Sequence, residues 1–554
     1  MSFSVDKARP LRWLVAAPFS SAPNGRTLLA SGERFGNLMA KVAPAATVEI
    51  PDGLGAGSSR RVQLTFERPR DFRLSEVIKR VEVLSSLTKI AGTLADKADL
   101  DAAIRSLRAK VGDGDLVKAV ERIAAGEAAE PPPRPAAPAP TQSSAPASEP
   151  EPSAGGSAID AIFSKAAVAP TPAQADASTV AKSGLDAFIG AMRKSRGTTP
   201  VPSKSSSAAS RARDAARLIR QAAEAAALDL LAAPPVARLE AGWRGFRMVV
   251  SSAPGADELL VEMMDTSEER LLGDLQNRLS AEPMDRPDAV MVAIPIPSLD
   301  GLRSLAALAQ RSLVPIVVEV PDAVTGAWLD DRSDLPPVPD AWAELQADPA
   351  AAWLGAVSNA VVLANEEADG TRRIVFGSPV WGLASMLSAS VGQTGGPGQI
   401  FGRAGALVAP ASYGLDGGQG SSSIATERMA SVDRQRALAE RGVLVVGSER
   451  GTDRLRLAAA PMVRSGGDDV QLPGRILAGR ANRLLQAIRN ELPPQATNQE
   501  VAARLAQASS NFLPRGPRGA VALEVRTDAQ GNLEVDASIG AGLAGAAFKF
   551  SSDL

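Results

Sequence analysis

Four groups of residues have the types and spacing that could do chemistry. Asp330, Asp331 and Asp334 could offer oxygen ligands to a divalent cation, but the spacing of a calcium-binding helix–loop–helix is absent and solvated acids are the preferred reading. Glu366, Glu367 and Asp369 could supply a general acid and base; nothing nearby marks them as a working pair, so exposed turn residues are expected. Gly540, Gly542 and Gly545 spell the GxGxxG of dinucleotide loops, yet a strand pattern rather than a capped helix follows, which reads as a turn between terminal strands. The glycine runs at 392–402 and from Gly414 could cradle an anion, but neither opens a clear helix with a lysine, and surface loops are expected. Arg475, Arg480, Arg483 and Arg489 lie along one helical segment. A solvated or subunit-facing helix is preferred over an RNA-binding face, because a lone Tyr413 and few other aromatics are available to stack on bases.

The composition removes other classes outright. The 554 residues include no cysteine and no histidine. Disulfides, thiolate nucleophiles, Ser-His-Asp triads and Cys- or His-ligated metals are therefore excluded. Neither GxxxxGK[ST] nor GxSxG occurs. With 60 basic against 62 acidic residues, the formal net charge of -2 argues against nucleic-acid binding, which needs a cationic excess. No cofactor is implied. No run approaches ~18 continuous apolar residues, so no membrane insertion is expected. The apolar stretch Trp13–Phe19 is short and lacks a cleavage site, which leaves the cytoplasm as the expected location.

The elements that must position these residues fall into three segments: 1–126, 127–210 and 211–554. In the first, strand patterns at Leu11–Ala17, Thr47–Ile50 and Arg61–Glu67 alternate with a helix at Phe35–Val42, and a long helix is expected over Leu74–Ala95, capped by Ser75 or Asp71. Two further helices follow. The middle segment reads as a Pro/Ala/Ser-rich linker with two apolar islands. One holds Ile159, Ile162 and Phe163. The other places Leu185, Phe188, Ile189 and Met192 at i, i+3, i+4 and i+7, one face of a helix. The last segment opens a βαβ unit, with strands at Ala289–Ile296 and Val314–Val320 around a leucine-striped helix, which implies parallel pairing. Further strand and helix patterns lead to a long helix over Gly474–Leu492, a capping box at Thr497 and Glu500, and three terminal strand runs: Ala520–Arg526, Asn532–Ala537 and Ala546–Phe550.

Several of these segments, in order, resemble the contractile sheath of bacterial type VI secretion systems, normally built from a small and a large subunit and here fused in one chain. The small-subunit resemblance rests on GERFGNLMAKVAPAATVEI (Gly32–Ile50) and RVQLTFERPRDFRLSEVIKRVEVLSSL (Arg61–Leu87), in which Phe66 ends a strand and the pair Asp71-Phe72 precedes the helix. The large-subunit resemblance rests on VARLEAGWRGFRMVV, where Leu239, Glu240, Trp243, Arg244 and Gly245 match an LExxWRG signature. SPVWGLASML with Trp381, VDRQRALAERGVLVV and the terminal strands follow in the family's order. The sequence departs from the family at Ala233-Pro234-Pro235, where a histidine-proline pair is expected, and at AIPIPSLDGL, which points to a divergent or minimal system.

The resemblance implies an α/β fold in which the two subunits interlock into a protomer with mixed sheets, and terminal strands are exchanged between protomers. Val521, Leu523, Val525, Leu533, Val535, Phe548 and Phe550 would carry the exchange, and the signature residues would be packing residues. It also implies a structural role without catalysis: a helical homopolymer around an inner tube protein, attached to a baseplate, that contracts to propel the tube. Leu185, Phe188, Ile189 and Met192 would be the handle for a ring-shaped ATPase unfoldase, set against packing on their own protomer. A non-contractile scaffold or baseplate-like relative is the alternative, and an enzyme using carboxylate or lysine chemistry a second.

Overall fold

A computed structural model describes residues 9–50, 61–126, 207–325, 329, 334–368, 371–415, 423–464, 471–491, 497–516, 519–527 and 533–553. Both apolar islands, including Leu185, Phe188, Ile189 and Met192, lie outside the described residues, as do Asp330, Asp331, Asp369 and most of the glycine run after Gly414.

The chain begins with β1 (Leu11–Ala17), β2 (Thr27–Leu29), α1 (Phe35–Val42), β3 (Ala45–Glu49) and β4 (Arg61–Thr65). A 3-10 turn at Pro69–Phe72 leads into α2 (Leu74–Arg80) and α3 (Glu82–Lys97). The single helix expected here is thus two. Val81 takes extended dihedrals at the junction while its side chain stays buried, so the apolar stripe continues across the break and periodicity alone reads one helix. The Asp71 carboxylate accepts the backbone N–H groups of Glu67 and Arg68 at 2.8 and 2.9 Å, tightening the preceding turn. Next come α4 (Leu100–Val111), α5 (Asp115–Ala125), α6 (Ala208–Ala232) and α7 (Pro234–Ser252), then β5 (Leu259–Asp265), α8 (Glu268–Leu279), β6 (Ala289–Pro295), α9 (Leu299–Ser312) and β7 (Ile316–Glu319). They are followed by α10 (Asp322–Thr325), α11 (Asp340–Ala347), β8 (Leu354–Ser358), β9 (Val361–Ala368), β10 (Thr371–Gly377) and α12 (Pro379–Thr394). After short strands β11 (Leu407–Val408), β12 (Tyr413–Gly414) and β13 (Ser423–Ile424) come α13 (Val432–Ala439), β14 (Val443–Val445), β15 (Gly447–Ser448) and β16 (Arg454–Arg456). The chain closes with α14 (Leu472–Glu491), α15 (Asn498–Phe512), β17 (Arg515–Gly516), β18 (Gly519–Thr527), β19 (Leu533–Ile539), α16 (Ala541–Ala544) and β20 (Phe548–Asp553).

These elements form two compact units, each drawn from separated parts of the sequence. One comprises Met1–Val48, Gln63–Arg73 and Pro234–Leu554; the other comprises Glu49–Val62 and Leu74–Ala233. The first is built on a seven-stranded sheet of order β14-β8-β7-β6-β1-β5-β2. β1 runs parallel to β5 on one side, Leu11 opposite Leu259, and parallel to β6 on the other, Trp13 opposite Ala289. Its sequence LRWLVAA is almost continuously apolar because both faces are covered, as parallel strands require. The βαβ unit β6–α9–β7 is parallel as expected, and only β2 runs antiparallel, on β5. The fold is therefore α/β with mixed sheets, and the N-terminal strand interlocks with strands from beyond residue 234.

A second sheet in the same unit, β17-β18-β19-β20, is an antiparallel meander. It lies on α14 and α15 around Leu484, Ile488, Leu505, Val535 and Ile539. The capping box is present, with Thr497 accepting from the Glu500 N–H and Glu500 accepting from the Thr497 N–H. In the other unit α6 packs on α3 and α5. Its buried face is largely alanine (Ala212, Ala215, Ala216, Ala223, Ala226, Ala227), and small side chains let helices approach closely against Leu84, Leu87 and Leu94 of α3.

Candidate functional site

The LExxWRG residues occupy α7, and each has a distinct contact. Pro234 and Pro235 start the helix, where a missing N–H costs nothing. Leu239, Glu240, Trp243 and Phe246 recur at helical spacing on the buried face. Trp243 is fully buried, and its indole N–H donates to the carbonyl of Phe19, just beyond β1, at 3.0 Å. Phe19 meets Trp243 edge-on at 5.3 Å, and Phe35 of α1 does so at 5.7 Å. Gly245 lies against Trp381 of α12: a Cβ there would fall 2.4 Å from the indole ring, so only glycine lets these helices meet as they do. Nearby, Phe66 and Phe72 stack at 4.0 Å.

Glu240 is fully buried and anchors an ionic ring. Arg244 donates to it from Nε at 2.7 Å and to Glu366 from Nη2 at 2.7 Å. Arg373 donates to Glu240 through Nη2 and, from Nη1, to Glu366 at 3.3 Å. Glu366 and Arg373 face each other across the β9–β10 hairpin. Glu366 is therefore a strand residue and half of a structural ion pair, not the exposed turn residue expected; the strand continues past the point where its polar residues were read as a turn. Two carboxylates and two guanidiniums satisfy one another, the condition under which buried charge is tolerated.

A second assembly was missed by the sequence reading. Arg480 and Arg483 of α14 are buried, not solvated, and both bind Asp288 at the start of β6. Arg480 also donates to the carbonyls of Arg9 and Phe512, each at 2.6 Å, and its guanidinium lies 3.9 Å from the Phe512 ring. Asp288 in turn accepts the backbone N–H of Arg12 at 2.8 Å. The cluster thus ties the entry to β1, the entry to β6 and the end of α15. Burial pushes both guanidinium pKa values down, that of Arg483 to about 10, while Asp288 opposes the shift. A signal was available: Arg480 and Arg483 stand four and seven residues after Ile476, on the apolar stripe of the helix.

The carboxyl ends of β7 and β8, where parallel sheets commonly place ligands, carry Glu319, Asp322 and Ser358. Asp322 accepts from the Ser358 hydroxyl at 2.8 Å and pairs with Arg428 at 3.0 Å. Burial raises the pKa of both Glu319 and Asp322; hydrogen bonds from Ser378 and Ser358 respectively work against it. Among the described residues no group of three or more carboxylates could hold a metal ion, and no helix is long and apolar enough to cross a membrane.

The glycine run at 392–402, expected as a surface loop, meets the glycine-rich segment at 540–545, expected as a turn between terminal strands. A Cβ on Gly398 would lie 2.3 Å from the Gly545 nitrogen, and one on Gly396 would lie 2.9 Å from the Leu543 side chain. Gly545 itself has φ +81°, a backbone conformation that suits glycine. These glycines permit backbone-to-backbone packing.

The terminal residues lie in the meander. Val535 is fully buried, Val521 nearly so, and Leu523, Val525, Phe548 and Phe550 are partly buried against the α14–α15 core. Leu533 opens β19. Their strands hydrogen-bond one another within this single chain, Val521 opposite Ile539 and Ala537 opposite Phe550, so exchange between copies is not displayed. β20 is an edge strand, and β17 covers only the first residues of β18.

No family model matches the sequence, and no curated protein is similar to it. Among solved structures, the chain is similar to one in an anti-feeding prophage baseplate (TM-score 0.32, 13% identity, 56% of this chain and 80% of that one). It is similar to one in the sheath complex of an extracellular contractile injection system in the contracted state (TM-score 0.31, 13% identity, 56% and 76%). It is also similar to a sheath tail protein from Listeria innocua (TM-score 0.26, 13% identity, 51% and 59%).

Proposed function

We propose that this chain is the structural subunit of a contractile, type VI secretion-like sheath, carrying the counterparts of both sheath subunits in one polypeptide. One observation carries the reading. β1, from the segment that resembles the small subunit, is inserted between β5 and β6, from the segment that resembles the large one. A two-subunit sheath needs that interlocking to make a single protomer, and a fused chain needs it equally. The LExxWRG residues support the same reading, since each is spent on packing or ion pairing.

Copies join by β-augmentation. The edge of β20, or that of β18 beyond β17, presents unused main-chain donors and acceptors to a strand of a neighbouring copy, with Val521, Leu523, Val525, Leu533, Val535, Phe548 and Phe550 supplying the apolar register. Heterologous contacts of this kind propagate as a helix rather than closing. The tube encloses an inner tube protein, starts on a baseplate, and works by switching between two packings whose small difference is summed over many copies. Leu185, Phe188, Ile189 and Met192 form the handle by which a ring-shaped ATPase unfolds spent tubes.

Negative-stain electron microscopy of the purified protein tests the proposal. Long tubes are expected, and a shortened form among them. Monodisperse single copies at high concentration would refute it, and tubes of one invariant length per subunit would point to a non-contractile scaffold. Removing residues 546–554 should leave folded protomers that no longer form tubes.

A further inference from the structure

Beside the Asp288 cluster lies a cavity of about 150 Å³ whose lining includes Arg9, Arg12, Arg286 and Arg480 against only Asp285 and Asp288. The imbalance persists when near neighbours are included. Arg480 and Arg483 share Asp288. Arg12 and Arg278 share Glu262, at 3.3 and 2.7 Å. Arg9 pairs with Asp285 at 2.8 Å. Arg286 has no carboxylate within ion-pair distance among the described residues; its guanidinium donates to the main-chain carbonyls of Ala281 at 2.9 Å and Ser312 at 3.2 Å. Among the described residues and the ion pairs named above, six guanidiniums thus share three carboxylates, with Glu282 acting on Arg286 at longer range. The neighbouring charges oppose one another, against the raising effect of Asp288. After burial itself, Arg12 and Arg9 weaken the proton affinity of Arg480, and Arg480 and Arg286 weaken that of Arg483.

Crowded, partly desolvated guanidiniums of this kind are relieved by an anion that accepts several N–H groups at once. We propose that this cavity is an oxyanion-binding site, taking a phosphate or carboxylate group between Arg286, Arg12 and Arg9. The oxyanion comes either from solution or from an acidic side chain of a second copy of this chain. The site is formed within one copy, so the solution source requires no polymer.

The full chain is titrated with inorganic phosphate by calorimetry, and its melting temperature is compared in phosphate and in chloride of equal ionic strength. Its self-association is measured by sedimentation velocity. If the source is solution, phosphate binds and raises the melting temperature, and Arg286→Gln weakens binding about tenfold or more, with Arg286→Lys retaining part of it. If the source is a second copy, phosphate has no effect beyond chloride, and Arg286→Gln weakens self-association about tenfold with partial rescue by lysine. Should Arg286→Gln fail to fold, Arg9→Gln, at the exposed rim, serves in the same comparison. Unchanged phosphate response and unchanged self-association in the folded variant would overturn the proposal.

Discussion

The ring of Glu240, Arg244, Glu366 and Arg373 and the cluster of Arg480 and Arg483 on Asp288 are both buried ionic assemblies, but they are composed differently. The ring has equal numbers of opposite charges and ties one helix to one hairpin. The cluster places two guanidiniums on a single carboxylate and completes itself with main-chain carbonyls and an aromatic face. The ring can therefore lose one member and keep a pair. The cluster cannot, because among the described residues Asp288 is the only anion holding both arginines. Charge balance decides which assembly is redundant, and the unbalanced one stands where three chain segments converge.

Substitutions can break that comparison. Asp288→Asn should have the largest effect, about 3–5 kcal/mol, because it leaves two buried cations without a counter-charge; a steep fall in the urea midpoint, or failure to fold, is expected, and a midpoint near that of the native protein would show that the carbonyls alone suffice. Glu240→Gln should cost less, about 2–3 kcal/mol, since Glu366 remains to accept from both arginines. If the two variants prove equally destabilised, redundancy is not what separates the sites. Gly245→Ala tests the packing beside the ring: its methyl must displace the Trp381 indole, at about 1–3 kcal/mol, seen as a lower melting temperature and a changed tryptophan emission.

Glu319→Gln sharpens the contrast from the other direction, with the smallest effect and the opposite sign. Burial raises the pKa of Glu319, and the charge of Glu427 adds to the rise. A carboxyl raised in this way contributes stability that is fully present below its unfolded pKa and is lost as pH rises through its folded one. The glutamine variant should thus be more stable than the native protein at neutral pH, with the advantage vanishing in acid. An advantage that is constant with pH would assign it to something other than the proton.

Residue type and local period carried part of this structure into view. The βαβ unit, the capping box at Thr497 and the terminal strand runs are local patterns, and each is where its pattern puts it. What required distant registration was hidden. Glu366 becomes a partner of Glu240 only once the β9–β10 hairpin sets Arg373 opposite it and α7 packs alongside. The meeting of Gly398 with Gly545 cannot be read from either glycine run alone. Arg480 and Arg483 failed for another reason: arginine is ordinarily a surface residue, and composition outweighed their place on the stripe. At Val81 the error ran the other way, a continuous stripe concealing a break in the backbone.

The central position of β1 also constrains how the protein is made. It is synthesised well before both of its neighbours, β5 from Leu259 and β6 from Ala289. At ~5–20 residues per second, both edges of this apolar strand stay open for tens of seconds. Nascent chains should therefore depend on a holding chaperone through that interval, and splitting the gene so that the early segment is made separately would turn waiting into a problem of stoichiometry.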